Sequence, residues 1–389
     1  MVRAQTAGRP QAETLLRLVC WQNEGEKLAG SPDLLAAFEE ANPTLRVNLS
    51  YERWPQAHPR LKYWTGSLRN YAPDFTIVKD VWLPQFAGDV IALDEKGLSK
   101  ELQGLVPATL ERCRINGKLM GLPWMASSRV LYCRSDLLEA AKLKAPTTLE
   151  ELATVAKGLS KDGVHGLGLP ASAGGGGVDA YLALLWAMGG QAVADGKVTL
   201  KTDEAAKALQ YWVELQEAGA LQPEGLSWSS AELDGAFAGG KLGMVFSGPA
   251  LGRYLRRERP ALKFETVPLP AGKSQPGQVS VDVLVALKSS KHPEACARFM
   301  EYMAAENARR AMWMMGSAPT HRRQVAEAKQ DPAQKAFVER LETARGMPMQ
   351  QTEKVERVVE RALWLALSGR LEAAAALRAA LAEEEQAPF

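Results

Sequence analysis

The strongest constraint on this 389-residue chain is an alternation of strand-like and helix-like segments beginning at residue 15. Residues 15–21 are apolar apart from Arg17 and read as a buried strand. Ser31-Pro32 opens a helix, with Ser as N-cap and Pro at the first helical position. The helix stops at Asn42-Pro43, because the residue before proline is pushed out of helical geometry. Residues 45–51 alternate Val47, Leu49 and Tyr51 with polar neighbours and predict a second strand. Residues 58–71 predict a helix and 74–78 a third strand. A β-α-β-α-β order implies a parallel sheet with helices on its faces.

Further along, Asn116-Gly117 marks the turn of a hairpin over 115–122, and 129–133 reads as another strand. Thr148 and Glu151 stand at capping-box spacing and predict a helix start. A second α/β stretch follows. It has a strand at 164–169, a glycine run at 174–177, a helix at 178–188 and a hairpin around Asp195-Gly196. A helix at 203–217 and strands at 242–246 and 279–287 complete it, and from His292 on the chain reads as nearly all helix.

Composition excludes several classes. Apolar residues are 46% and charged residues 24%, a globular balance rather than a disordered one. Forty-seven basic and 45 acidic residues leave a net charge of +2, so no electrostatic footprint for nucleic acid exists. The longest unbroken apolar run is the nine residues 180–188, far short of the ~20 that span a bilayer. Residues 1–14 lack an apolar h-region and read as a flexible leader. That fits a cytoplasmic protein, or a mature exported domain whose signal was removed.

Catalytic and metal motifs are weak. Cys20, Cys113, Cys133 and Cys296 are too scattered for a zinc site and read as buried thiols. The histidines His58, His165, His292 and His321 form no HExxH, so no metal is expected. Gly166, Gly168 and Ala171 match a dinucleotide fingerprint, but Pro170 removes a donor where pyrophosphate would sit. Asp80, Asp179 and Asp282 could pair as glycosidase carboxylates, although isolated acids are usually solvated. Ten Trp against 8 Tyr and 9 Phe is unusual, and it fits either packing or a platform for a flat ligand.

Several blocks together are more specific. WQNEGEKLAGSPDLLAAFEEANPTLRVNLSY, APDFTIVKDVWLPQFAGDVIALDE and NGKLMGLPWMASSRVLYCRSDLLEAAKLKAPTTLEEL occur in that order. AFAGGKLGMVFSGPAL, VSVDVLVALKSSKHPEACARFMEYM and SGRLEAAAALRAAL follow. From about Leu15 to the end, this series resembles the family 1 extracellular solute-binding proteins, the sugar receptors of bacterial ABC importers typified by maltose-binding protein.

The resemblance implies a two-lobed α/β periplasmic-binding-protein fold of type II kind, with the ligand in a cleft between lobes joined by hinge segments. Residues 15–127 plus 281–319 would form lobe 1, and 128–280 plus 320–389 lobe 2. The hinge crossings would lie near 126–129, 279–282 and 317–320. It implies a monomer outside the cytoplasm that delivers a sugar to an ABC permease, with no cofactor, no nucleic acid and no turnover. Membrane association would come only through the permease or a lost lipid anchor.

By position, the resemblance assigns ligand contacts to Asn23 and Glu24 after the first strand, and to Asp80 and Trp82 after the third. It assigns Trp124 and Arg129 to the first hinge, and Asp179 and Tyr181 to the helix after the glycine run. Ser247 and Gly248 fall in the opposite wall, Asp282 at the second hinge, Trp313 before the third, and Arg357 on a late helix. Carboxylates, amides and guanidinium forks hydrogen-bond sugar hydroxyls, and an indole face covers the C–H patch. Within the tryptophan excess, Trp21, Trp82 and Trp124 face the cleft on this reading. Trp64, Trp186, Trp212 and Trp364 pack, and Trp54 and Trp228 have no assigned role. Ala250 stands where many relatives carry Trp, Ser127 where many carry Asp, and Asp282 where some carry Gly, so no single relative's ligand carries over. Arg129 with Arg357 leaves a polyol phosphate such as glycerol 3-phosphate as an alternative ligand. An exported glycoside hydrolase is the alternative of another class.

Overall fold

The computed structural model describes residues 14–22, 31–174, 176–223, 226–275, 277–314 and 317–386. The chain divides into two compact units, Met1–Ala126 with Val281–Gln324, and Ser127–Ser280 with Val325–Phe389. The polypeptide therefore changes unit three times.

In the first unit, strand Thr14–Gln22 pairs in parallel with Leu45–Arg53 on one side and with Phe75–Lys79 on the other. This is the parallel sheet that the β-α-β-α-β order predicts. Helix Ser31–Ala41 ends just before Asn42-Pro43, and the Asn42 amide donates back to the Phe38 carbonyl at 2.9 Å. The sheet is nevertheless mixed. Strand Gln278–Ala286 runs antiparallel to Phe75–Lys79, with Asp282 opposite Lys79 and Ala286 opposite Phe75. It returns from far along the chain, so the right-handed crossover that enforces parallel pairing does not apply. Phe75, Thr76, Ile77 and Val78 are all buried, as expected of an inner strand covered on both faces.

Two elements differ from expectation. The helix expected over 58–71 spans only Ala57–Thr65, because Gly66 leaves helical geometry; a separate short turn covers Arg69–Tyr71. The strand expected at 129–133 is Leu122–Cys133, twelve residues long, and the change of unit falls inside it. Its approach is the predicted hairpin, Arg114–Ile115 with Lys118–Leu119. There Asn116 (φ 50°) and Gly117 (φ 75°) take the left-handed conformations of a type I′ turn.

In the second unit, the fully buried strand Leu242–Ser247 pairs in parallel with His165–Leu167 and antiparallel with residues 130–133. Thr148 and Glu151 form the capping box: the Glu151 N–H donates to Thr148 Oγ1 at 3.2 Å, and the Thr148 N–H to Glu151 Oε2 at 3.3 Å. Ser229 and Glu232 form another. The core gathers Trp186, Trp212 and Tyr181 with helices Thr352–Leu367 and Ala373–Gln386. All four cysteines are buried free thiols.

Candidate functional site

The strongest cluster in the first unit lies where two parallel strands end. In open α/β sheets, ligands gather at the carboxyl ends of strands. Leu45–Arg53 runs straight into the turn Trp54–Gln56, and Phe75–Lys79 into the turn Asp80–Trp82. These strands flank Thr14–Gln22 on either side, so Trp54 and Trp82 reach each other past its end. Their rings stack at 5.8 Å between centroids and 20° between planes. The Lys79 ammonium lies 4.9 Å from the Trp54 ring and 5.5 Å from that of Trp82. His58 closes one side, its ring 5.0 Å from Trp82 and its Nε2 2.9 Å from Gln85 Oε1. Both indoles are only partly buried.

Two carboxylates stand beside this cluster in different states. Asp80 is buried, and both of its oxygens are engaged. Oδ2 accepts from Arg112 Nε at 2.7 Å and from the Val281 N–H at 3.1 Å, and Oδ1 accepts from the Val81 N–H at 2.8 Å. Asp282 is partly buried and faces Lys79 across the ladder. Burial pushes its carboxyl up to about 6; the Lys79 ammonium opposes the shift and the Asp80 charge adds to it.

The second unit holds a polar cluster at the end of strand Leu242–Ser247. The Ser247 hydroxyl donates to Asp234 Oδ2 at 3.0 Å, while Asp234 Oδ1 is buried with no partner. Burial raises the Asp234 carboxyl above the usual range, against the Ser247 hydrogen bond and the Arg129 charge. Arg129 lies 3.4 Å from Asp179, which sits in the first turn of helix Gly177–Ala187. Gly248 caps helix Pro249–Glu258, and its carbonyl accepts from the Tyr132 hydroxyl at 2.8 Å. A Cβ at Gly248 would come within 3.3 Å of Ser127 Oγ. Beside Arg129 a small pocket, with room for about one water, is lined by Ser128, Gln278, Phe337 and Arg340.

The remaining candidates are more dispersed. Asn23 and Glu24 lie outside the described residues. Trp124 is 2% exposed. Tyr181 is fully buried in the helical core, and its hydroxyl donates to the Ala205 carbonyl at 3.0 Å. Trp313 is partly buried, with the Arg310 guanidinium 5.8 Å from its ring. Arg357 is held by both oxygens of Glu384, at 2.8 and 2.6 Å, joining the last two helices. Trp54, Lys79 and Asp234 were not singled out in the sequence, although the Trp-Pro pair shortly after the strand predicted at 45–51 was a usable signal for Trp54. Among the described residues, no group of three or more His, Cys, Asp or Glu is placed to hold a metal ion. No described helix is long and apolar enough to cross a membrane.

The profile of the bacterial extracellular solute-binding protein family matches residues 33–337. A Brucella abortus protein named as a putative binding protein is 28% identical over 276 residues, covering 69% of this chain and 66% of the relative. The chain thus aligns with just under two thirds of that relative's length. A Deinococcus radiodurans protein named as an ABC transporter-binding protein is 28% identical over 154 residues, 35% of each chain. Among solved structures, a maltose-bound MalE3 of T. maritima superimposes with a TM-score of 0.80 at 22% identity, covering 95% of this chain and 99% of the other. A cyclic α-maltosyl-1,6-maltose binding protein from Arthrobacter globiformis gives a TM-score of 0.83 at 18% identity, covering 97% and 100%. At these identities the structures speak for the fold.

Proposed function

Because the chain belongs to the bacterial extracellular solute-binding protein family, we propose that it captures a neutral sugar outside the cytoplasm for an ABC permease, without chemical turnover. The observation that carries this reading is the Trp54–Trp82 pair at the strand ends, with Lys79 against both rings. A pyranose ring has C–H patches that an indole face covers while excluding water. Its hydroxyls need donors and acceptors, which Lys79 and Asp282 supply. The second unit holds its own set of hydroxyl-binding groups in Asp234, Ser247, Asp179 and Arg129. We take the two units to be the two lobes of the family. The maltose and cyclic maltosyl-maltose named for the two solved structures set oligosaccharides as the first ligands to try.

A phosphorylated ligand is less supported. Arg357, one of the two guanidiniums that would receive it, is taken up by Glu384, and Arg129 faces Asp179. A hydrolase reading needs two available carboxylates, and Asp80 is engaged by Arg112 and two backbone N–H groups.

A thermal-shift screen of mono-, di- and trisaccharides, polyols and glycerol phosphates tests the proposal. A neutral sugar should raise the melting temperature in a saturable way, as linkage of binding to folding requires. A response to glycerol phosphates alone overturns the neutral-sugar assignment. Conversion of any sugar beyond one equivalent per chain overturns the binding-only assignment.

A further inference from the structure

We propose that the outer face of helix Pro249–Glu258, with the turn after it, docks on an anionic lipid surface. Residues 253–263 carry five basic side chains, Arg253, Arg256, Arg257, Arg259 and Lys263, against the single acid Glu258. The whole chain carries only +2, so this short stretch concentrates positive charge that the rest of the molecule balances.

The helix sorts its residues by face. Leu251, Gly252 and Leu255 are buried, and both leucines join a core cluster with Val130, Tyr132 and Phe337. Arg253 and Arg257 stand at i and i+4 on the opposite face, and Arg256 at i+3 lies on its flank beside Gly252. All three are exposed, as are Arg259 and Lys263 beyond the helix end, and Tyr254 at the margin is 41% exposed. Like charges at this spacing repel one another. The negative end of the helix dipole favours Arg256 and Arg257 in the last turn. It does not account for Arg253, nor for Arg259 and Lys263 outside the helix.

Glu258 takes up Arg257 at 2.6 Å, and the stretch still carries a net +4 that an extended anion would meet. The cations are spread over a helix face and a following turn, and the exposed phenol beside them is amphipathic. A bilayer rich in anionic headgroups is an extended negative surface that rewards the number of nearby cations rather than their exact placement. A receptor that hands its ligand to a membrane permease works beside such a surface; to this extent the inference rests on the proposed function.

The test is co-sedimentation of the full chain with phosphatidylcholine vesicles and with vesicles containing phosphatidylglycerol, at low and high salt. Binding should require phosphatidylglycerol and fall as salt rises. Removing one basic residue should weaken partitioning roughly fivefold, and the triple variant Arg253→Gln, Arg256→Gln, Arg257→Gln on the order of a hundredfold. A second variant, Arg259→Gln with Lys263→Gln, should weaken it without touching the helix. Sugar affinity should be unchanged in both variants. Equal sedimentation with the two vesicle types overturns the proposal, as does a triple variant that binds like the parent. Retention on a polyglutamate matrix without vesicle binding assigns the face to an acidic protein and overturns it equally. Sugar binding is read separately, so lipid binding can fail while the ligand assignment stands, and the reverse.

Discussion

Asp282 stands directly across the antiparallel ladder from Lys79, next to the stacked indoles. Burial raises its carboxyl from 3.8 to about 6, the lysine opposing and Asp80 reinforcing. A carboxyl raised in the folded state binds its proton more tightly there than in the unfolded chain. Its contribution to stability is therefore fully present below the unfolded value of ~3.9 and is lost as pH rises through about 6. The lost contribution is at most about 3 kcal/mol. Asp282→Asn removes this titration. The variant should be more stable than the parent at neutral pH and lose that advantage in acid, as read by urea midpoints at the two conditions. A parallel pH dependence in parent and variant rejects the assignment.

The stacked pair makes a prediction about affinity. Replacing Trp54 or Trp82 with Ala should weaken the sugar identified by thermal shift at least tenfold, about 1.4 kcal/mol. Calorimetric titration measures it. The rings also pack on each other, so the melting temperature without ligand should fall as well, and affinity is measured well below it. Unchanged affinity in both variants removes the platform from the site.

Trp124 behaves differently. It is 2% exposed, and truncating a buried Trp to Ala typically costs about 3–5 kcal/mol through lost burial and the cavity left behind. Trp124→Ala should therefore lower the denaturation midpoint strongly. A variant that keeps the parent midpoint but loses sugar binding returns Trp124 to the ligand.

Arg357 and Asp80 give a contrasting pair of ion-pair tests. Arg357 is more than half exposed and joins Glu384 on the last helix. Water and salt screen such a pair, so Arg357→Gln should cost no more than about 1 kcal/mol and leave sugar affinity within twofold. Asp80→Ala removes a buried carboxylate that accepts from Arg112 and from the Val81 and Val281 N–H groups. A loss of about 3–5 kcal/mol follows, because a buried ion pair is broken and two buried backbone N–H groups lose their acceptor. Chemical denaturation of both variants separates the two roles.

Local signals in the sequence carried the element order. Proline after Asn42, the Thr148–Glu151 box and the Asn116-Gly117 turn each act within a few residues, and each stands where its chemistry predicts. The antiparallel return of Gln278–Ala286 was not legible, since it pairs residues about two hundred positions apart. The same holds for the site. Trp82 was legible through the blocks that resemble the family. Its stacking partner Trp54 belongs to another strand end, and the contact exists only once the sheet has formed. Asp234 sits in a helix whose pattern marks it only as polar, and its unpartnered oxygen is a product of packing. The reading of Arg357 as a ligand contact met a competitor, Glu384, twenty-seven residues further on.

The threefold change of unit bears on how the chain is made. Residues up to Ala126 form a unit only together with Val281–Gln324, so the two parts emerge from the ribosome separated by more than 150 residues of the other unit. At 5–20 residues per second, that interval is roughly 10–30 s. For its duration Phe75–Lys79 has no Gln278–Ala286 strand to pair with, and one edge of an apolar sheet stays open. The newborn chain must therefore remain unassembled, or be shielded from its neighbours, until synthesis has passed the second crossing.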